Sequence, residues 1–266
     1  MSTLVGILSG FACVVISFYI GGGSVGLYLN LPSVFITLGG VICATLASFP
    51  LKRLKETARA VVRAFKKDKT SINDDVEMLI ELANTARKEG ILALEGAVGD
   101  IQDAYLKKGI MLIVDGSDPE LIKGIMETEL DFIKERHSEN RTVLEAMAAY
   151  SPAFGLIGTL IGLINMLQSL SDVKMLGPQM AIALVTTFYG SMLANLVFTP
   201  LSKKLKAVGN QEYLRKEMIL EGFLSIQDGE NPRIIREKLN AFMSRAESKD
   251  TQVSLVTPDR GEKKVG

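Results

Sequence analysis

The sequence predicts an all-α membrane protein with four transmembrane helices and a large helical domain outside the bilayer. Four apolar runs are long enough to cross a membrane, which takes roughly 20 residues in a helix. Charged residues nevertheless make up 23% of the chain, so apolar and polar segments must be segregated along it. The polar segments show the 3.6-residue period of helices rather than the alternation of strands.

The first two apolar runs form one membrane segment, predicted over residues 1–50. The run Leu4–Ile20 lacks a basic start and a small-residue cleavage site, so we expect a retained helix and not a signal peptide. The second run begins at Pro32, a residue suited to the first turn of a helix, and ends near Pro50. The connection Gly21–Leu31 carries no charge, which predicts a tight hairpin.

Basic residues predict the orientation of the chain. Only Glu56 and Asp68 oppose the eight basic residues between Leu51 and Thr70, which are Lys52, Arg53, Lys55, Arg59, Arg63, Lys66, Lys67 and Lys69. Three more lysines follow the fourth apolar run, whereas the two short connections contain a single basic residue, Lys174. The excess of positive charge on cytoplasmic loops therefore places both termini in the cytoplasm of a multi-pass protein.

The segment between the second and third runs is predicted to be a cytoplasmic helical domain over residues 51–148. An amphipathic face recurs at helical spacing through Val76, Leu79, Ile80 and Ala83. Helix starts are predicted at Asn73-Asp74-Asp75 and at Ser117-Asp118-Pro119. Beyond it we expect the third and fourth membrane helices at 149–201, a cytoplasmic helical segment at 202–247 and a disordered tail at 248–266.

The third and fourth spans carry no charge over Ser151–Ser171 and Gly177–Ser202. On a helix, each presents a stripe of small residues with one threonine near its centre, the stripes being Pro152, Gly155, Thr159 and Gly162, and Ala183, Thr187, Gly190 and Ala194. Small stripes let helices approach closely. Each threonine hydroxyl could simply bond to its own backbone carbonyl four residues back. Alternatively, the two could line a polar path and bind a partly dehydrated cation or order water.

The four apolar runs contain no Asp, Glu, His, Lys or Arg. A proton relay or cation site inside a membrane normally needs an ionisable group. If ions pass, the carboxylate must therefore come from another subunit packed against the third and fourth spans. Helix packing without ion flow is the alternative.

Enzyme chemistry finds no support in the sequence. The sequence has no nucleophile elbow, no phosphate-binding loop, no paired carboxylates and no metal-ligand spacing. We therefore expect no catalytic residues, no bound metal, no cofactor and no nucleic-acid partner. Cys13 and Cys43 both lie in apolar stretches and are expected to be buried free thiols. Pro152 opens the third span and Pro200 closes the fourth. They are either ordinary boundary residues or flex points that couple the membrane helices to the cytoplasmic domain.

Two strings resemble the flagellar stator A-subunit family, represented by MotA and PomA. They are SPAFGLIGTLIGLINML at Ser151–Leu167 and MAIALVTTFYGSMLAN at Met180–Asn195, and the similarity extends from the first span to about Ala246. The related energy transducers ExbB and TolQ have three spans and an external amino terminus. The resemblance implies a pentameric ring in the bacterial plasma membrane, around two copies of a MotB- or PomB-like B-subunit. The single span of that subunit carries the ion-accepting aspartate.

The resemblance also implies roles for particular residues. Ion flow would turn the ring and generate torque on the rotor protein FliG. The rotor-contacting positions of the family match Arg87, Lys88 and Glu95, which charge alone would assign to a solvated helix surface. Its two functional prolines match Pro152 and Pro200.

The pore-lining positions of the family match Thr159 and Thr187. A threonine at Thr159 is associated with sodium-driven members. The transported cation is therefore H⁺ or Na⁺ with a preference for Na⁺, although a hydroxyl pair could also order a proton wire. An ExbB/TolQ-like transducer and a static membrane scaffold are the alternative functions.

Overall fold

The computed structural model describes residues 2–22, 25–66, 72–101 and 103–242, and within these ranges it contains helices and no strand. The helices are α1 (Ser2–Ile20), α2 (Leu31–Ser48), α3 (Leu51–Phe65), α4 (Ile72–Glu89), α5 (Ala104–Val114), α6 (Pro119–Gln168), α7 (Val173–Gln227) and α8 (residues 232–242). Short 3₁₀ segments lie at Val25–Tyr28 and Ile91–Asp100. The predicted tail at 248–266 lies outside the described residues.

Among the residues that the structure describes, four helices are long and apolar enough to cross a membrane, which confirms the predicted fold class. They are α1, α2, α6 and α7. The chain forms two compact units, one from Met1–Lys67 with Arg136–Val208 and the other from Asp68–Glu135 with Gly209–Gly266. The segment predicted as a single domain at 51–148 is thus divided, because α3 belongs to the first unit while α4 and α5 belong to the second.

The first unit contains the membrane helices. Asn30 caps α2 by accepting a hydrogen bond at Oδ1 from the backbone N–H of Ser33 (3.1 Å). Ser33, Thr37 and Thr45 on α2 are buried, and the hydroxyls of Thr37 and Thr45 each donate to the carbonyl four residues back (2.7 Å). A buried hydroxyl without an acceptor is costly, so these bonds let polar residues pack inside an apolar bundle.

Aromatic rings join α1, the 3₁₀ segment Val25–Tyr28 and α7. The rings of Phe18 and Tyr28 stack with centroids 3.7 Å apart, and Phe188 packs edge-on against Phe18. The Tyr189 hydroxyl donates to the carbonyl of Tyr28. These contacts hold the first hairpin against the fourth span.

Neither predicted boundary proline ends a helix. Pro152 lies inside α6, and Pro200 lies inside α7 just after a π-helical turn at Leu193–Phe198. Proline has no N–H to donate to the carbonyl four residues back, which for Pro200 is that of Leu196. The π turn contains Leu196 and shifts the hydrogen-bonding register by one residue, which accommodates the missing donor. A second π turn at Phe35–Gly39 interrupts α2.

Cys13 and Cys43 are free, as expected, but both are exposed on the surface of this chain and not buried. They lie on α1 and α2, whose apolar side chains are largely exposed as well. In a membrane helix, apolar surface needs no protein partner, because lipid is as apolar as the side chain. The position of the two cysteines in apolar stretches of the sequence therefore did not predict that they are buried within the protein.

The second unit is built like a water-soluble domain around a core of large apolar side chains. Its fully buried residues include Leu79, Leu94, Ile110, Ile122, Met126, Met218, Ile219, Phe223 and Ile235. The predicted amphipathic face of α4 is buried, and α4 and α6 begin within one residue of the predicted starts. The predicted helix at 202–247 is instead broken at Gly229, whose φ of +68° ends α7 before α8 begins.

A buried ion network ties α4, α5 and α7 together within the second unit. Asp75 is almost fully buried, and its carboxylate accepts hydrogen bonds from Nε and from a terminal nitrogen of Arg215. Asp103 caps α5 and binds Lys216 Nζ at 3.1 Å. Burial alone would raise the pKa of Asp103, but the charge and hydrogen bonds of Lys216 hold it below its ordinary value.

Candidate functional site

Four oxygen atoms converge where α6 passes α7 inside the first unit. The Thr159 and Thr187 hydroxyls are in direct hydrogen-bond contact. The Thr159 Oγ1 atom also lies 3.1 Å from the Gly155 carbonyl oxygen and 3.1 Å from that of Ala183. Thr187 Oγ1 lies 3.4 Å and 3.5 Å from the same two oxygens. The structure therefore brings the two predicted threonines together in one polar cluster.

The helices approach closely enough for this because small residues face each other. A Cβ atom added to Gly155 would lie 3.1 Å from the Thr186 carbonyl oxygen and 3.2 Å from the Thr187 Cα. One added to Gly162 would lie 2.7 Å from the backbone nitrogen of Ala183. Because these neighbours are backbone atoms, they cannot rotate away. The two predicted small-residue stripes thus form the α6–α7 contact, as in other closely packed membrane helices.

Thr186 is a buried neighbour that the sequence did not single out. It is fully buried, and its hydroxyl donates to the carbonyls of Ile182 (2.9 Å) and Ala183 (3.0 Å). A Cβ atom on Gly158 would collide with its side chain. Thr186 therefore fills the helix contact, whereas Thr187 is exposed and Thr159 is half-buried. The pairing with Gly158 could have been found only from the relative register of the two helices.

The observed hydrogen bonds fit both roles considered for the threonines, which are helix packing and the lining of a polar path. Thr159 bonds to its own carbonyl four residues back, as simple packing predicts. It also reaches Ala183 and Thr187 on the other helix, which local hydrogen bonding does not require. Two hydroxyls and two carbonyls give neutral oxygen ligands, which suit Na⁺ or an ordered water, and each hydroxyl has one proton to donate.

The two prolines lie outside the threonine cluster. Pro152 is exposed on α6, two turns before Thr159, and Pro200 is half-buried on α7. Next to Pro152, the Ser151 hydroxyl donates to the Met147 carbonyl at 2.7 Å. Each proline removes one hydrogen bond from a continuous helix, which is where such a helix bends most readily.

The three predicted rotor-contacting residues lie on the surface of the second unit. Arg87 and Lys88 are in the last turn of α4, and Glu95 is in the 3₁₀ segment Ile91–Asp100. The two elements are separated by Gly90, whose φ is +89°. All three side chains are exposed, and none forms an ion pair with another residue in the described part of the chain. They are available to an external partner.

A shallow polar cleft of about 450 Å³ lies beside this surface. Its lining includes Lys88, Glu81 and Glu89, together with the Glu77–Arg236 ion pair. In the ranges that the structure describes, no group of three or more His, Cys, Asp or Glu residues could hold a metal ion. The charged surface of this unit is therefore suited to ion pairing with another protein.

Comparison with known proteins places this arrangement in a family. Residues 4–90 match the family model described as motility protein A N-terminal, and residues 97–218 match that of the MotA/TolQ/ExbB proton channel family. Motility protein A of Aquifex aeolicus is 42% identical over 90% of this chain and 94% of its own length. The chemotaxis protein PomA of Vibrio alginolyticus is 37% identical over 92% of this chain and 95% of its own length. The chain belongs to the motility protein A family.

A solved structure agrees with this assignment. The flagellar MotAB stator complex from Bacillus subtilis contains a chain that superposes with a TM-score of 0.85 and 31% identity, covering 93% of this chain and 98% of that one. This member of the motility protein A family is thus a flagellar stator subunit and a plasma-membrane protein. The match to the N-terminal motility protein A model and the four candidate spans do not favour an ExbB/TolQ-like role.

The close approach of α6 and α7 can be tested with two alanine substitutions on the same helix. A Cβ atom on Gly190 would meet the Ser151 carbonyl oxygen and the Gly155 Cα, whereas one on Gly177 would meet nothing within 4 Å. We expect Gly190→Ala to cost about 1–3 kcal/mol of stability through overpacking. Gly177→Ala makes no such contact, and only the restriction that Pro178 places on the preceding residue opposes it, so we expect a smaller loss of stability than for Gly190→Ala. Thermal unfolding of the purified protein in detergent measures both, and equal melting temperatures would contradict the observed contact.

Proposed function

We propose that this stator subunit assembles as a pentameric ring around two copies of a one-span B-subunit, and that cation flow between them drives torque on the rotor protein FliG. The observation that carries the proposal is the Thr159–Thr187 cluster, a set of neutral oxygens between two spans that contain no charged side chain. The chain supplies ligands, and a partner must supply the charge.

A membrane-embedded aspartate of a MotB- or PomB-like subunit would complete this site. A cation that leaves water needs a negative charge as well as oxygen ligands, and the four apolar runs provide none. Solved structures support such a partner, because two that match this chain are of MotAB. Thr187 is exposed on this chain, so the cluster can be reached from outside the subunit.

Na⁺ is the cation that we favour over H⁺. Hydroxyl and carbonyl oxygens are suitable ligands for a partly dehydrated Na⁺, and the Thr159 hydroxyl oxygen lies within hydrogen-bonding distance of three others. The threonine at Thr159, which the sequence resemblance associates with sodium-driven members of the family, supports the same choice. The hydroxyl pair could also carry a proton along an ordered water chain, which is the second candidate.

Arg87, Lys88 and Glu95 would transmit the torque. They are exposed and unpaired within the described residues, on two consecutive elements of the second unit, which we place in the cytoplasm from the positive charge that follows the second and fourth spans. Pro152 and Pro200 would let α6 and α7 bend as the ion site fills and empties. In this topology both termini are cytoplasmic and the exposed apolar faces of α1 and α2 contact lipid.

Ion flux tests the need for a partner. Because the spans lack a charged group, the purified chain alone should leave cation flux into proteoliposomes at the background of empty vesicles. Co-reconstitution with its B-subunit should raise the flux, and replacing the membrane aspartate of the B-subunit by asparagine should abolish the increase. Strong flux through the chain alone would refute the proposed division of roles.

Charge reversal tests the rotor-facing surface. Exposed ion pairs are worth about 0–1 kcal/mol each, so neutralising Arg87, Lys88 or Glu95 singly should slow swimming only partially. Arg87→Glu combined with Glu95→Lys should impair it severely while the amount of protein in the membrane stays the same. As a control, Lys123→Glu with Glu127→Lys reverses an exposed pair on α6 and should leave swimming intact. If the first double variant swims normally, this surface is not the rotor contact.

Sodium dependence tests the ion path. Thr159→Val keeps the shape of the side chain and removes one oxygen ligand, at a cost of about 1 kcal/mol. We expect the sodium concentration for half-maximal swimming speed to rise about fivefold, with Thr159→Ser close to wild type. Thr142→Val removes a hydroxyl that bonds only to the Ser138 carbonyl on α6 and serves as the control. Wild-type speed that is independent of sodium would favour a proton-driven motor, and an unchanged Thr159→Val response would mean that Thr159 only packs.

A further inference from the structure

The exposed face of α3 carries an unusual concentration of positive charge. Five basic side chains on or just after this helix are exposed, and they are Lys52, Lys55, Arg59, Arg63 and Lys66. The one acidic residue of the helix, Glu56, is partly buried and pairs with Arg53 at 3.8 Å. At 3.6 residues per turn, the four exposed basic residues within the helix fall on one side of it. None of the five forms an ion pair with another residue in the part of the chain that the structure describes.

The opposite face of α3 packs against other helices of the first unit. Arg53 pairs with Glu139 on α6, and the buried Thr57 hydroxyl donates to Asn140 Oδ1 at 3.1 Å. Ala60, Val61 and Ala64 pack on a core cluster formed by Val41, Leu144, Phe198 and Leu205. These contacts fix which side of α3 faces outward, and they leave the five cations without a structural role in the chain.

The same contacts place α3 at the level where the spans leave the bilayer. Glu145 is the last charged residue before the third span and Lys203 is the first after the fourth. Leu144 and Leu205 lie next to these two positions, and Ser202 donates to Glu145 Oε1 at 3.3 Å. The helix itself begins at Leu51, directly after Pro50 and the end of the second span. The α6 partners of α3, Glu139 and Asn140, lie five or six residues before Glu145, which at 1.5 Å per residue is about 8–9 Å along α6, so this helix lies beside the headgroup region.

Two apolar side chains lie beside the cations on the exposed surface. Leu51 is 64% exposed and Val62 is 60% exposed. A basic face with an apolar edge is typical of helices that lie in the membrane interface, where the apolar edge enters the acyl boundary and the cations meet phosphate.

We propose that the exposed face of α3 binds anionic phospholipid headgroups of the cytoplasmic leaflet, with Leu51 and Val62 inserted beside them. Juxtamembrane clusters of this kind are attracted to the negative surface of that leaflet. The bound lipids would hold each subunit at a fixed depth. The inference uses the cytoplasmic orientation proposed above but not the ion path, so it can fail or succeed independently of ion conduction.

Lipid titration of the whole complex tests this. The stator, purified with its B-subunit in mild detergent, is titrated with phosphatidylglycerol or with phosphatidylcholine of the same acyl chains, and bound lipids are counted by native mass spectrometry. Wild type should prefer phosphatidylglycerol, and the preference should fall as salt is raised. Each basic residue near a membrane surface contributes about fivefold, so Lys55→Gln, Arg59→Gln and Arg63→Gln together should reduce it roughly 100-fold.

Two further variants separate charge from fold. Lys55→Arg with Arg59→Lys and Arg63→Lys keeps the charge and should keep the preference. Lys107→Gln with Lys123→Gln and Arg233→Gln removes the same charge from exposed positions of the second unit and should change nothing. An unchanged preference in the α3 glutamine variant overturns the proposal. So does a loss of subunits from the ring with the lipid preference per subunit intact, which would identify this face as a contact between copies of the chain.

Discussion

The backbone contact between α6 and α7 is the constraint on which the rest of the membrane unit depends. Gly155 and Gly190 allow the two helices to meet backbone to backbone, where a methyl group on Gly190 would collide with α6 and one on Gly155 would be in tight contact with α7. Only at this separation can the Thr159 hydroxyl reach the Thr187 hydroxyl and the Ala183 carbonyl on the other helix. The polar cluster is therefore a consequence of glycine packing, and a change that separates the helices would dissolve it without touching a threonine.

A second constraint is the strict segregation of charge along the chain. The spans are neutral, α3 concentrates cations near the end of the second span, and the second unit pairs its buried charges, as Asp75 does with Arg215. Each pattern suits its surroundings: lipid excludes charge, an anionic surface attracts cations, and a water-soluble core requires a buried ion to be paired. Arg87, Lys88 and Glu95 are exposed and form no ion pair within the described residues, which leaves their charges free to engage another protein.

The sequence predicted the membrane spans, the facing small-residue stripes and the meeting of Thr159 with Thr187, because helical periodicity and small-residue spacing are local properties. It did not predict the continuity of α7 through Pro200, since a helix that keeps its packing can tolerate a missing hydrogen bond. The role of Thr186 against Gly158 depends on helix register, which a single sequence does not contain. The break at Gly229 was signalled by Asp228-Gly229 and Asn231-Pro232, which are turn and helix-start pairs.

The claim that Thr187 faces a carboxylate-bearing partner is tested most directly by disulfide cross-linking. In a chain with Cys13 and Cys43 replaced by alanine, Thr187→Cys is paired with a cysteine placed next to the membrane aspartate of the B-subunit. Ile157→Cys is the control, because it is 44% exposed at a similar depth but lies on the far side of α6 from Thr159. We expect a cross-link from Thr187→Cys and none from Ile157→Cys. Cross-linking from Ile157→Cys alone would place the partner on the wrong face and contradict the account.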